Sequence, residues 1–163
     1  MRPLLIINPL YQVNMKTKVN EIAISYSGSL KANSLPKITC SQSAADLAYS
    51  QWNKSNIELH ETFKIMLLNN ANKVKGLYEV SNGGITGTLV DIRILFAVLL
   101  KSLTTAVILL HNHPSGTLQP SEADKRLTQK IKKAGDLFDI KVLDHLIISP
   151  DGEYYSFADE GII

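Results

Sequence analysis

The sequence predicts a single α/β domain in which helices flank a mixed β-sheet. The chain has 163 residues, of which 45% are hydrophobic and 20% charged, and this suits one domain with a substantial core. Short apolar runs bounded by turn residues recur along it, as strands do. Two or three longer amphipathic stretches lie between these runs and predict helices packed on the sheet.

The N-terminal part divides into an expected tail and the start of the domain. We expect a tail over residues 1–18 and the domain over residues 19–163. Within the tail, residues 1–14 could be a loose extension or an upstream start before Met15. Glu21–Tyr26 alternates polar and apolar residues, which predicts a half-buried first strand.

The remaining elements follow from apolar periodicity and turn residues. After a loop around Pro36, a helix capped by Ser41 or Ser43 should run through Trp52, with a second from the cap Asp91 to about Lys101 and a third over Ser121–Gly135. The predicted strands are Thr62–Leu68, Val74–Val80, Ala106–Leu110, Ile140–Leu143, Leu146–Ser149 and Glu153–Phe157. The first two of these should form a hairpin.

The second helix carries apolar residues on more than one face. One helical stripe includes Leu95, Leu99 and Leu103, and Ile94 and Val98 add another. This pattern predicts a largely buried helix. The third helix has one apolar stripe and a basic face between Lys125 and Lys133, which is typical of a solvated surface.

Composition excludes several classes of protein. The net charge of +2 is too small to indicate nucleic-acid binding by itself. The single cysteine, Cys40, excludes an intrachain disulfide, fits a reducing compartment and is expected to be partly buried. The sequence contains no run of about 18 apolar residues, which a membrane-spanning helix would need, so we expect a cytoplasmic protein.

One short stretch concentrates the potential metal ligands. The apolar run Ala106–Leu110 predicts a buried strand that leads directly into His111. Residues i and i+2 of a strand point to the same face, so His111 and His113 can converge at its carboxyl end. Pro114 and Gly116 then turn the chain.

The third ligand comes from the next helix. Ser121 is a good N-cap, and Asp124 falls in the first helical turn, where a carboxylate is favoured. Two imidazoles and one carboxylate, with one position left for water, predict a catalytic zinc site. A structural zinc site built from thiolates is excluded, because the chain has one cysteine. Taken singly, the histidines could be polar loop residues and Ser121 and Asp124 only a helix cap.

The motif as a whole resembles that of the RadC family within the JAMM (MPN-type) metallopeptidases. The likeness rests on His111-Asn112-His113-Pro114-Ser115-Gly116, Pro120-Ser121, Asp124 and Asp144-His145-Leu146-Ile147-Ile148, and it extends from about Val19 to Tyr155. It implies bound Zn²⁺, a fold close to that of the cytidine deaminases, and hydrolysis of peptide or isopeptide bonds by a metal-bound water with an upstream glutamate as base.

Three glutamates could supply that base. Glu61 precedes Thr62-Phe63 and matches the family's Glu-x-Phe pattern, whereas Glu58 and Glu79 lie in a connection and at the far end of the hairpin. We therefore expect Glu61 to be catalytic, the alternative being a solvated residue at a strand edge. Ser121 could cap its helix and, by resemblance, support the metal-bound water or the oxyanion.

The pair Asp144-His145 has two interpretations. His145 could orient a metal ligand from behind, with Asp144 beside it, or be a core histidine satisfied by backbone. His60 is expected to be polar surface.

The resemblance also implies an alternative function, a DNA-repair-associated protein that acts through DNA or a repair partner, for which the basic helix face is the candidate patch. A nucleobase deaminase is disfavoured, because its His-x-Glu and Pro-Cys-x-x-Cys patterns are missing.

Overall fold

The computed structural model describes residues 31–84 and 88–163. The predicted strand Glu21–Tyr26 and the boundary between residues 18 and 19 lie outside these residues. A short 3₁₀ turn over Ala32–Ser34 is followed by three helices and five strands. The helices are α1 (Ser41–Ser50), α2 (Ile92–Lys101) and α3 (Glu122–Asp136), and the strands are β1 (Thr62–Leu68), β2 (Val74–Asn82), β3 (Ala106–Asn112), β4 (Lys141–Ile148) and β5 (Tyr154–Ser156).

The five strands form one mixed sheet in the order β2-β1-β3-β4-β5. β3 and β4 are parallel and are joined through α3, whereas the other neighbouring strands are antiparallel. The predicted fold class, a mixed sheet with flanking helices, is therefore confirmed. In the parts of the chain that the structure describes, no helix is long and apolar enough to cross a membrane.

Alternation along the central strand separates the two cores. Ile108 and Leu110 of β3 pack with Ala44 and Ala48 of α1 on one face. Val107 and Leu109 pack with residues of α2 and α3 on the other face. Because side chains alternate in a strand, the next odd-numbered residue, His111, faces α3, and Asn112 faces the α1 side. The sheet register thus decides where the motif's side chains point.

The structure corrects the predicted extent of two strands. The two strands expected over Ile140–Leu143 and Leu146–Ser149 are one continuous strand, β4, which includes Asp144 and His145. These two polar residues are buried within it rather than interrupting it, because side chains distant in sequence satisfy their polar atoms. The last strand is shorter than predicted and covers only Tyr154–Ser156.

Two helices differ from expectation in detail. The first residue outside α1 is Cys40, which is exposed rather than partly buried, and the Ser43 hydroxyl accepts a hydrogen bond from its N–H at 3.2 Å. α2 is buried on one face only, through Leu95, Phe96 and Leu99. Ile94 is 48% exposed and Leu103 is 70% exposed, whereas Val98 is partly buried against the core that contains Leu95 and Leu99.

Candidate metal centre

Three potential metal ligands converge between the end of β3 and the start of α3. The Nε2 atoms of His111 and His113 lie 2.9 Å apart. Asp124 Oδ1 is 3.5 Å from His111 Nε2, and Asp124 Oδ2 is 3.9 Å from His113 Nε2. One ligand atom from each of the three residues lies within 4.8 Å of the others. The structure therefore brings together the residues that the sequence predicted to share an ion.

The donor set fits a divalent cation such as zinc. Adjacent donors on a tetrahedral zinc with ligand distances of about 2.0–2.2 Å stand about 3.3 Å apart. The distances from His111 Nε2 to His113 Nε2, 2.9 Å, and to Asp124 Oδ1, 3.5 Å, bracket that value. His113 Nδ1 contacts the carbonyl oxygen of Thr117 at 2.5 Å. A carbonyl only accepts, so this nitrogen carries a proton, which leaves Nε2 as the nitrogen of His113 that can bind a metal. One ring nitrogen from each histidine and a carboxylate oxygen face a common point, which is a donor set that favours a cation.

Ser121 fixes the carboxylate as well as the helix start. Its hydroxyl accepts a hydrogen bond from the N–H of Asp124 at 3.1 Å and donates to Asp124 Oδ2 at 2.6 Å. The N–H of Ser121 donates to the same oxygen at 2.7 Å. This capping box holds Oδ2 and leaves Oδ1 as the oxygen nearer to His111. The Ser121 hydroxyl therefore already caps the helix and donates to Asp124, and the catalytic role predicted for Ser121 would use the same oxygen.

Behind His111 lies His145, whose ring contacts it directly. His111 Nδ1 and His145 Nε2 are 2.8 Å apart, and His145 Nδ1 is 2.6 Å from Thr128 Oγ1. His145 is fully buried and stacks on Phe157 with ring centroids 4.6 Å apart. Sequence reasoning missed Thr128, although its position one turn after Asp124 on α3 placed it on the same helix face.

Burial keeps the imidazoles of His111 and His145 neutral. Desolvation is the main cause that lowers the pKa of His111 to about 4; His113 lowers it further and Asp124 opposes the shift. Burial, followed by the nearby His111 and His113, lowers the pKa of His145 well below its ordinary value. A neutral imidazole is the form that binds metal, so the surroundings favour the ligand state at neutral pH.

Glu61 lines the same cavity as the three ligands. The cavity has a volume of about 350 Å³, and Phe63, Thr88, Gln119 and Leu127 contribute to its walls. Burial raises the pKa of the Glu61 carboxyl and Asp124 raises it further, while His113 opposes the shift. The other two candidates, Glu58 and Glu79, are exposed, and Glu79 pairs with Lys64 at 3.7 Å.

Asn112 anchors the segment that carries Glu61, a contact that sequence reasoning did not identify. Its fully buried side chain accepts from the N–H of Thr62 at 2.8 Å and donates to the carbonyls of Ile57 at 2.7 Å and His60 at 3.0 Å. The N–H of Glu61 donates to the Gly84 carbonyl at 3.1 Å. Glu61 is therefore held on both sides. His60, expected at the surface, is half-buried in this connection.

Asp144 lies away from the ligand cluster. Its buried carboxylate accepts from Ser156 Oγ at 2.6 Å, from the N–H of Ala158 at 3.0 Å and from the N–H of His145 at 2.7 Å. Burial raises the pKa of this carboxyl, although its hydrogen bonds oppose the shift. The contacts place Asp144 as an anchor of the C-terminal turn, so of the predicted pair only His145 touches a ligand.

A mixed five-stranded sheet with a His-x-His and an Asp at this position is the arrangement expected of a JAB (MPN-type) domain, the class that the motif resembles. Residues 38–162 match the family described as the RadC-like JAB domain, and the chain belongs to that family. It is similar to proteins named UPF0758 from Flavobacterium johnsoniae and Porphyromonas gingivalis, with 55% and 45% identity over 103 residues. These matches cover 63% of this chain and 44% and 45% of the relatives. The matched region is therefore less than half the length of either relative.

Proposed function

We propose that this domain is a zinc-dependent hydrolase of peptide or isopeptide bonds. The observation that carries the proposal is the convergence of His111, His113 and Asp124 in one cavity with Glu61. Those three residues would hold the ion, and zinc bound in this way activates a water and polarises a carbonyl. Membership of the JAB domain family supports the same class of chemistry.

Glu61 would move the protons. Hydrolysis of an amide needs a base that takes a proton from the attacking water and an acid that gives one to the departing nitrogen. A carboxylate whose pKa is raised by burial is suited to both steps near neutral pH. Its backbone is fixed by the Gly83 and Gly84 pairing, with Gly83 N–H donating to the Glu61 carbonyl at 2.8 Å, so the side chain starts from a rigid position.

Ser121 would serve the reaction by orienting Asp124. Its hydroxyl donates to Oδ2 at 2.6 Å, which leaves Oδ1 facing His111. The same hydroxyl lies at the cavity wall and could turn to stabilise the oxyanion that forms from the scissile carbonyl. Peptide or protein-conjugate substrates suit a cavity with both apolar and polar walls, formed by Phe63 and Leu127 together with Thr88 and Gln119.

The test measures metal content first and hydrolysis second. We expect purified protein to bind one zinc per chain and His113→Ala to bind far less, as elemental analysis would show. Equal zinc in both samples would contradict the site. A screen of peptide and isopeptide substrates then supplies an activity to follow.

Glu61→Gln is the diagnostic variant once a cleaved substrate is found. We expect it to keep zinc and to lose about 10²–10⁴-fold in kcat, the usual contribution of general acid–base catalysis. Glu79→Gln is the matched control, because Glu79 is exposed and lies outside the cavity wall. A fully active Glu61→Gln enzyme would place the base elsewhere.

A second candidate function is DNA binding in repair, carried by the basic face of α3. Lys125, Arg126, Lys130 and Lys133 line a shallow groove of about 380 Å³ on that helix. Lys125 is partly neutralised by Glu122 at 2.8 Å. A binding titration with duplex DNA at low and moderate salt tests this candidate, since phosphate contacts weaken steeply with salt. No binding at low salt would remove it.

A further inference from the structure

A buried chain of three side chains extends from His111 into the protein. It runs from His111 Nδ1 to His145 Nε2, and from His145 Nδ1 to Thr128 Oγ1, at 2.8 and 2.6 Å. Thr128 Oγ1 is also 2.7 Å from the carbonyl oxygen of Asp124. None of the three side chains is more than 2% exposed. The polar atoms of these side chains must therefore be satisfied by one another and by neighbouring protein groups rather than by solvent.

The contact between His111 and His113 decides which way the hydrogen bonds of these three side chains point when no cation is bound. When His113 carries a single ring proton, that proton is on Nδ1, which donates to the Thr117 carbonyl, and Nε2 presents a lone pair. His111 Nε2 lies 2.9 Å from that lone pair, and two lone pairs at this distance repel. His111 therefore carries its proton on Nε2 and donates it to His113.

The remaining hydrogen bonds follow from that assignment. With its proton on Nε2, His111 accepts at Nδ1, so His145 must donate from Nε2. His145 then accepts at Nδ1, and the hydroxyl of Thr128 donates to it. Each neutral imidazole has one N–H and one acceptor nitrogen, so no other arrangement satisfies every contact.

Metal ligation requires the opposite direction. His111 can bind a cation through Nε2 only when its proton is on Nδ1. It then donates to His145 Nε2, and His145 donates from Nδ1 to Thr128 Oγ1. The hydroxyl hydrogen of Thr128 turns to the Asp124 carbonyl, which already lies within hydrogen-bond distance.

We infer that Thr128 is a positioning residue whose hydroxyl lets this chain run in either direction, so that metal binding reverses its hydrogen bonds while the heavy atoms stay in place. The inference rests on the proposed metal site. Only a group that both donates and accepts can end the chain in both states. The far acceptor belongs to Asp124, so the chain connects one metal ligand to the backbone of another.

The proton count is the same in both arrangements. His111 and His145 each lose the proton on Nε2 and gain one on Nδ1. The hydroxyl of Thr128 keeps its proton and only turns it from His145 Nδ1 to the Asp124 carbonyl. Each imidazole and the hydroxyl thus hold one proton before and after, and the chain releases none overall.

The direct test is imidazole ¹⁵N NMR of the full chain, which has four histidines. Two-bond ¹H–¹⁵N spectra identify the protonated ring nitrogen of each histidine. We expect the His145 proton on Nε2 in metal-free protein and on Nδ1 after addition of zinc. The same His145 tautomer in both states would overturn the inference while leaving the metal site intact, whereas a failure to bind zinc would overturn both.

Variants at Thr128 test the hydroxyl itself by zinc titration. Thr128→Val keeps the shape but leaves the His145 Nδ1–H of the zinc-bound state without an acceptor, so we expect zinc affinity to fall about tenfold or more. Thr128→Ser keeps the hydroxyl and should restore affinity to within about threefold. Thr104→Val is the matched control, because Thr104 is buried and bonds to Ser102 at 2.7 Å. Wild-type affinity and tautomers in Thr128→Val would overturn the inference.

Discussion

The two histidines of the motif stand two residues apart but are held in different ways. His111 is 2% exposed, and its Nδ1 contacts His145 from β4, which contacts Thr128 from α3. His113 has a side chain that is 12% exposed, and its Nδ1 contacts the Thr117 carbonyl within its own loop. One candidate ligand, His111, is fixed by tertiary packing, and the other, His113, is fixed by local backbone.

This difference divides the candidate site into two parts. The deep half is His111 with His145 and Thr128, and the shallow half is His113 with the turn that ends at Thr117. The deep half depends on the sheet register and on the packing of α3, so it forms only with the fold. The shallow half depends on a turn of a few residues, so changes there should alter metal binding with little effect on the core. Substitutions on each side can therefore test the division.

The largest expected difference is in the stability of His111→Ala and His113→Ala. Without His111, a cavity opens beside Phe63 and His145 loses its partner at 2.8 Å. We expect a loss of about 2–4 kcal/mol in the free energy of unfolding of metal-free protein. His113→Ala should change it by about 0.5 kcal/mol or less. Urea unfolding with a chelator measures both, and equal losses would show that the halves do not differ.

Asn112, between the two histidines, points to the opposite face and supports Glu61. Asn112→Ala leaves one N–H and two carbonyls of residues 57–62 without their partner, and we expect a loss of about 2 kcal/mol. On any substrate that the wild type cleaves, kcat should fall about tenfold, because small displacements of a base are costly. Zinc content should not change.

The control for this variant is Ser156→Ala, which removes a buried hydrogen bond to Asp144 at 2.6 Å away from the cavity. We expect Ser156→Ala to lose stability without any further loss of kcat once the folded fraction is taken into account. If Asn112→Ala loses zinc instead, Asn112 supports the ligands rather than Glu61.

The sequence predicted the parts of the site that are contiguous in the chain. The strand before His111, the turn at Gly116 and the cap at Ser121 each have a local signature, and the three candidate ligands follow from them. Thr128 has no such signature, and Asn112 stands within the motif but its role could not be predicted, because both roles depend on which residues the fold brings opposite them.

The same limit explains the errors in the predicted elements. Asp144 and His145 look like an interruption of a strand, since a polar pair is costly to bury without partners. Their partners, Ser156 and Thr128, come from other elements. The second apolar stripe of α2 looked buried because periodicity shows that a face is apolar, and only the packed structure shows that Ile94 is left exposed.

Acid should destabilise the deep half. The pKa of His111 in the fold is about 4, below its ordinary value of 6.5. Between these values the unfolded chain binds a proton that the folded chain does not, so stability falls as pH falls. The expected slope is about 1.4 kcal/mol per pH unit for each histidine that stays neutral, and the direction for His145 is the same.

The measurement is urea unfolding of metal-free protein between pH 6.5 and about 5. Burial raises the pKa of Glu61 and Asp144, so these carboxyls favour the folded state as they gain protons, and they would obscure the histidines at lower pH. A free energy of unfolding that stays constant across the window would contradict neutral, buried imidazoles.

The smallest expected effect is in the turn of the shallow half. Gly116 has a φ of +77° and nothing within 4 Å of an added Cβ, so Gly116→Ala introduces backbone strain without a clash, about 1 kcal/mol. Gly161→Ala is the matched control, with a φ of +68° and equally open space far along the chain from the motif. Both should lose similar stability, whereas only Gly116→Ala should weaken zinc binding, by up to about tenfold. Equal zinc affinity in the two variants would mean that the turn does not position His113.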